Sequence, residues 1–160
     1  MHRMLLRVII FNKLGDIYKK IYLTYKGEDE MNEVLEFLKK YHVFYLATSD
    51  GNQPHVRPFG ALAVVDGKLY TQTGKVKNVA QQLKANPKAE ICCFGDGTWL
   101  RIECELIWDD SYETLHSLLE QNPNLRRMYD EKDGNCLGLR FENCKATFYS
   151  FTAPPKTIEF

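Results

Sequence analysis

Two short clusters in the middle of the chain have residue types and spacing suited to holding an anion. In "TQTGKVKN", residues 71–78, Thr71, Gln72 and Thr73 lead into Gly74, and Lys75 and Lys77 follow, with Asn78 next to them. Gly74 permits a turn whose backbone amides can face an anion. The pattern after it predicts a helix beginning near Val76, and the N-terminal end of that helix adds partial positive charge. Lysines at that end are mildly unfavourable unless an anion sits there. A phosphate monoester carries about 1.5 to 2 negative charges at neutral pH, which two ammonium groups, hydroxyl donors and a helix N-terminus would offset. The stretch reads as a phosphate cradle, with a solvated helix start as the alternative.

In the second cluster, His55, Arg57 and Phe59 are spaced by two and fall on one face of a strand. Arg57 can supply a bidentate partner to a phosphate. His55 is a candidate proton donor near a bound ligand, or simply a strand histidine that hydrogen-bonds or faces solvent. The chain shows no Ser/His/Asp set and no paired carboxylates. Its histidines, at 2, 42, 55 and 116, are scattered, and no CxxC occurs, so no metal site is expected. Five cysteines, an odd number, fit a reduced cytoplasmic protein better than a disulfide scaffold. Cys92 and Cys93 are neighbours on one strand and must point to opposite faces, so at least one is expected to be buried and inert.

These residues need elements to position them. Met31, Val34, Leu35 and Leu38 recur at i, i+3, i+4 and i+7, which predicts a short amphipathic helix over 31–41. "VFYLATS" is β-prone and closes at Asp50-Gly51. "QPHVRPFGALAVV" reads as one longer strand, closed by Asp66-Gly67. Pro54 and Pro58 require it to be an edge or bulged strand. "KLYTQT" pairs back as a third strand, and the helix from about Val76 stops before Pro87. "AEICCF" and "TWLRIECELIW" follow as strands, with Leu100, Ile102, Cys104, Leu106 and Trp108 on one face and Trp99, Arg101, Glu103 and Glu105 on the other. Asp109 or Asp110 caps a helix through Leu119, "NPNLRRMY" makes a helical turn, and "NCLGLRFE" and "KATFYSFT" close the chain as two strands. Tight turns between successive strands forbid parallel pairing there. The expected fold is mainly β (α+β): a six- to seven-stranded antiparallel barrel of Greek-key type with short helices between strands.

The 160 residues suit one domain. Lys plus Arg and Asp plus Glu each number 21, so no global field draws nucleic acid or an anionic membrane, and any anion site must be local. Residues 1–30 stand apart: a basic start, an apolar run from Leu5 to Phe11 too short to span a bilayer, and no small-residue cleavage site. They are expected to be an N-terminal extension to a domain over 31–160. A surface helix is one reading of them. Another is that Met31 is the natural start and that residues 26–30 are a ribosome-binding site read as codons.

"VFYLATSDGNQPHVRPFG", "GKLYTQTGKVKN", "LKANPKAEICCF" and "ATFYSFTAPPKTIEF", in that order, resemble the pyridoxamine 5'-phosphate oxidase-like FMN-binding split-barrel family, and within it the nitroimidazole-resistance branch. The resemblance runs from about Met31 to Phe160. It implies a homodimer with two FMN sites at the subunit interface. Arg57, Pro58, Phe59 and Gly60 would lie along the isoalloxazine ring, and Tyr70, Thr71, Gln72 and Thr73 along the ribityl chain. Lys77, with Lys75 and Asn78, would hold the phosphate. Trp99 would reach the flavin of the neighbouring subunit or pack in the interface, with Tyr149 and Phe151 near the ring edge.

The resemblance implies an oxidoreductase moving electrons from a reduced nicotinamide through FMN to a small acceptor such as a nitroaromatic. The chain departs from the oxidase itself by closing at "PKTIEF" without the basic residues that grip its substrate, so pyridoxamine phosphate oxidation is not expected. Only part of the oxidase's Arg-Lys phosphate pair is matched by Lys75-Val76-Lys77. Two alternatives remain: a non-catalytic flavin-binding stress or redox module, and a related split barrel that holds haem or a deazaflavin.

Overall fold

The computed structural model describes the backbone of residues 2–160 and the side chains from residue 16 onward, residues 24 and 25 apart. In chain order the elements are α1 (His2–Tyr41), β1 (Phe44–Asp50), β2 (Gln53–Phe59), β3 (Ala63–Val65), β4 (Lys68–Gly74), α2 (Asn78–Ala85), β5 (Lys88–Gly95), β6 (Thr98–Asp109), α3 (Tyr112–Gln121), a 3-10 segment (Pro123–Arg127), β7 (Cys136–Ser150) and β8 (Lys156–Glu159). The ladders are antiparallel throughout. Across the sheet the order is β2-β1-β5-β6-β7-β4-β3, with β8 added on β7.

That order forces curvature. The two edge strands, β2 and β3, are consecutive in the chain and separated only by residues 60–62. Four Cα steps reach at most about 14 Å, so the sheet must curl until its edges nearly meet. No ladder joins them, and the result is an antiparallel barrel split along one seam. Phe44, Leu46, Ile91, Leu100, Ile102, Leu106, Leu137 and Leu139 fill its interior, each fully buried. Met31, Val34, Leu35 and Leu38, the expected helical stripe, are all buried against the same core. The β6 alternation also appears: Leu100, Ile102, Cys104 and Leu106 are inside, while Arg101 and Glu103 face out. Cys93 is buried and Cys92 half-buried, as neighbours on one strand must be, and all five thiols are free.

Several expectations need correction. The helix expected over 31–41 is the C-terminal part of the 40-residue α1. No proline interrupts residues 2–41, and Gly27, which costs a helix about 1 kcal/mol relative to Ala, does not stop it. The run from Leu5 to Phe11 lies on this helix, but its side chains are outside the described residues. Among the described residues no helix is long and apolar enough to cross a membrane.

The single long second strand is two strands, β2 and β3, that form opposite edges of the sheet. The break falls at Gly60, where an added Cβ would lie 2.9 Å from the His42 carbonyl oxygen. Pro54 and Pro58 do sit on an edge strand. Conversely, the two closing strands are one: β7 runs through a bulge opposite Cys104, where Asn143 takes φ 52° and bends the strand without ending it. β8, following Pro154-Pro155, was not anticipated and brings the strand count to eight. Helix α2 starts at Asn78, not near Val76, with Lys77 at its N-cap. The N-cap of α3 is Ser111, whose N–H and hydroxyl both donate to the Asp109 carboxylate.

Candidate functional site

The site is built at the seam. Along β2 the exposure alternates: His55, Arg57 and Phe59 are half-buried, and the residues between them are exposed. The three therefore share the inward face at the open edge of the barrel. Arg57 reaches across to α2. Its Nη1 donates to Thr48 Oγ1 at 2.7 Å and to the His55 carbonyl at 3.1 Å, and its Nη2 donates to Gln82 Oε1 at 2.8 Å. Thr48 in turn donates to the same Gln82 oxygen at 2.7 Å, and both of these partners are buried. Burial pulls the Arg57 pKa below its ordinary value, yet a guanidinium remains charged at neutral pH. All of its acceptors are neutral. A partly desolvated cation without a carboxylate partner leaves net positive potential at the seam.

Next to it opens a cleft of about 340 Å³, within the roughly 300–1,000 Å³ usual for small-ligand sites. Arg57, Pro58, Phe59 and Gly60 line one side, and Gln72, Thr73 and Lys77 line another. The opposite wall is Leu125, Met128 and Tyr129, from and just after the 3-10 segment. Seven of the residues singled out in the sequence thus converge on one cavity although fifteen positions separate Arg57 from Gln72.

Six others are placed differently. Tyr70 is buried under α3 and its hydroxyl donates to Asp109 at 3.0 Å. Thr71 stitches the seam by donating to the Ala61 carbonyl at 2.8 Å. Lys75 pairs with Asp110 at 2.7 Å and holds that carboxyl below the usual range. Asn78 is exposed at the first turn of α2. His55 lies one inward position along β2 from Arg57, outside the cleft lining. Trp99 stacks on Tyr149, with ring centroids 5.2 Å apart and planes at 6°, and Phe151 packs at 5.3 Å. Within one chain this aromatic group is on the outer side of β6 and β7, not in the cleft.

The turn after Gly74 also departs from the expected cradle. The Lys75 N–H donates to the Asn135 carbonyl at 2.7 Å, Val76 N–H to Asn135 Oδ1 at 3.2 Å, and Lys77 N–H to the Gly74 carbonyl at 3.1 Å. Those amides are occupied by the protein itself. The donors left at the α2 N-terminus are the N–H groups of Asn78 and Val79, for which the described residues provide no acceptor. Lys77 supplies the ammonium, without a carboxylate partner, 5.7 Å above the Tyr129 ring. A Cβ at 74 would lie 3.1 Å from the Asn135 amide and 3.2 Å from the Tyr129 ring, so glycine lets both side chains approach the turn closely.

Sequence reading missed Thr48, Gln82, Tyr129, Met128, Leu125 and Asn135. Nothing local marks Tyr129 or Met128 in a stretch that reads only as a helical turn. Asn135 beside Gly134 looks like any loop asparagine. An apolar cleft bordered by an unpaired guanidinium, an unpaired ammonium and two free helix amides suits a flat aromatic group carrying a phosphate tail. An FMN-sized cofactor fits this donor set.

A family profile described as pyridoxamine 5'-phosphate oxidase matches residues 31–150. Among solved structures, the chain is similar to a NimC/NimA family protein of Clostridium acetobutylicum, at 37% identity and TM-score 0.83, covering 87% of this chain and 98% of that one. It is also similar to a protein of the same organism related to general stress protein 26 (16% identity, TM-score 0.65, 83% and 96% covered). A third is an F420 reductase (14% identity, TM-score 0.53, 67% and 90% covered). At such identities these last two show a common fold. Among curated proteins none matches the chain. With three quarters of its length under the profile and a 37% identical structure along most of it, the chain belongs to the pyridoxamine 5'-phosphate oxidase family.

Proposed function

We propose that the protein is a cytoplasmic, homodimeric flavoprotein that binds FMN non-covalently and passes electrons from a reduced nicotinamide to a small acceptor such as a nitroaromatic. The observation that supports this most is the seam cleft, lined by Arg57, Lys77 and Val79 at the start of α2, where among the described residues neither cation has a carboxylate partner. Bound flavin would supply the two-electron carrier. The chain's own residues orient it: Lys77 and the Asn78 and Val79 amides hold the phosphate, Gln72 and Thr73 flank the ribityl chain, and the β2 stretch Arg57–Gly60 lies along the ring. His55, one inward position from Arg57 and outside the cleft lining, remains the candidate proton donor for a ring that extends along β2 beyond that lining.

The outer sheet face supports the dimer. Tyr45 and Phe94 are 51% and 61% exposed there, beside the Trp99–Tyr149 stack and a 79% exposed Phe151. Contiguous apolar exposure of this kind marks an association surface. Among the described residues the cleft lining falls between 57 and 129, which supports reading residues 1–30 as an extension to the domain over 31–160.

The test is the visible spectrum of the purified protein, followed by anaerobic mixing with reduced nicotinamide. Flavin bands that bleach on mixing are expected. Colourless protein that stays so after soaking in FMN would overturn the reading, and flavin that binds but never bleaches would leave a flavin-binding module without turnover. Likeness to an F420 reductase favours one second reading, a deazaflavin in the same cleft, which a shorter-wavelength band would reveal.

A further inference from the structure

Two tyrosines share the apolar cluster beneath α3, and their hydroxyls have different fates. Tyr70 is 4% exposed and donates to Asp109. Tyr129 is 7% exposed, lines the cleft, and has no hydrogen-bond partner for its hydroxyl among the described residues. The hydroxyl is not sealed from solvent either: the one fully enclosed side-chain polar atom without a hydrogen bond among the described residues is on Arg140. The hydroxyl of this otherwise enclosed ring therefore reaches solvent, and the residue lines the cleft. There it can bond water or a ligand, which phenylalanine in the same place could not.

The surroundings fix the ring in place. Its backbone N–H donates to Leu125 at 3.0 Å, its edge abuts Gly74, and Lys77 Nζ stands over its face. Asn135 accepts hydrogen bonds from Lys75 and Val76, which ties the loop following Tyr129 to the turn before Lys77. The free amides of Asn78 and Val79 begin one residue beyond Lys77.

We propose that Tyr129 is a binding residue for the ligand's phosphate, its hydroxyl donating to a phosphate oxygen on the side opposite the α2 N-terminus while its ring carries the Lys77 ammonium. This rests on the reading of the cleft as a site for a phosphorylated flavin. It makes the segment after Pro123–Arg127 part of the anion site, which the β2 and β4 residues alone would leave open on one side.

Flavin-fluorescence titrations with FMN and with riboflavin, which lacks the phosphate, test it on wild type, Tyr129→Phe and Lys77→Ala. Tyr129→Phe should weaken FMN binding about tenfold and leave riboflavin binding unmoved. Equal losses for both ligands, or no loss for either, would overturn the proposal, the first by making Tyr129 a packing residue. If Lys77→Ala weakens FMN selectively while Tyr129→Phe does not, the phosphate site stands and Tyr129 is not part of it. If wild type binds FMN and riboflavin alike and neither variant changes that, the phosphate site and this proposal fall together.

Discussion

The seam cleft and the outer rim around the 3-10 segment use the same residue types to opposite ends. On the rim Arg126 has its counter-ions, donating to Glu120 and to Glu131, both at 2.8 Å, and His116 Nδ1 lies 2.8 Å from Glu131. The Arg126 guanidinium, with help from a backbone N–H and His116, holds the Glu131 carboxyl down to about 2. In the cleft Arg57 has only neutral acceptors and Lys77 only an aromatic face. Charges satisfied within the chain serve its folding. Charges left unbalanced at a cavity are available to a ligand, and the contrast between Lys75 and Lys77, two residues apart, makes that difference local.

The strongest break in this contrast is Arg57→Ala. It removes charge-assisted hydrogen bonds from buried Thr48 and Gln82 and should cost about 2 to 3 kcal/mol of folding stability in denaturant titrations. FMN affinity should fall with it, because seam and site share that side chain. A variant that binds FMN normally would show that the guanidinium is purely structural. The pair Lys77→Ala and Lys75→Ala sharpens the comparison at a smaller scale. Losing the unpaired lysine should weaken FMN about 10- to 150-fold, the equivalent of about 1.5 to 3 kcal/mol, with little change in melting temperature. Losing the paired one should change affinity a few-fold at most and stability by about 0 to 1 kcal/mol, as for exposed ion pairs.

The smallest effect is expected on the rim. Because Glu131 titrates lower when folded than when unfolded, its contribution is complete above about 4.5 and drains away as the pH falls toward about 2. Glu131→Gln should therefore lower the melting temperature slightly at neutral pH, and the gap from wild type should close on acidification. A gap that persists at pH 2 would mean the carboxylate charge is not what anchors the loop.

Legibility in the sequence followed the range of the interactions. The β2 alternation put His55, Arg57 and Phe59 on one face, but the end of β4, expected to lie in one hairpin with them, pairs with β7 instead. The helical stripe of Met31, Val34, Leu35 and Leu38 is likewise a local pattern that tertiary packing respected. Gly60 was different. Read as one more strand residue, it is where the chain leaves one edge of the barrel for the other, for a reason that lies in His42, eighteen positions away. The turn amides were expected to face an anion, and Asn135, sixty residues downstream of Lys75, had already engaged them.

Residue type, two- and 3.6-residue periodicity and turn chemistry are properties of neighbours along the chain. They determined that this protein is an antiparallel β domain with helices between hairpins and a basic stretch after Gly74. Which cation stays unpaired, which wall faces the cleft and which tyrosine keeps a free hydroxyl depend on residues brought together by barrel closure. Those distances do not exist until the edges of the sheet meet, and so only the tertiary structure decided them.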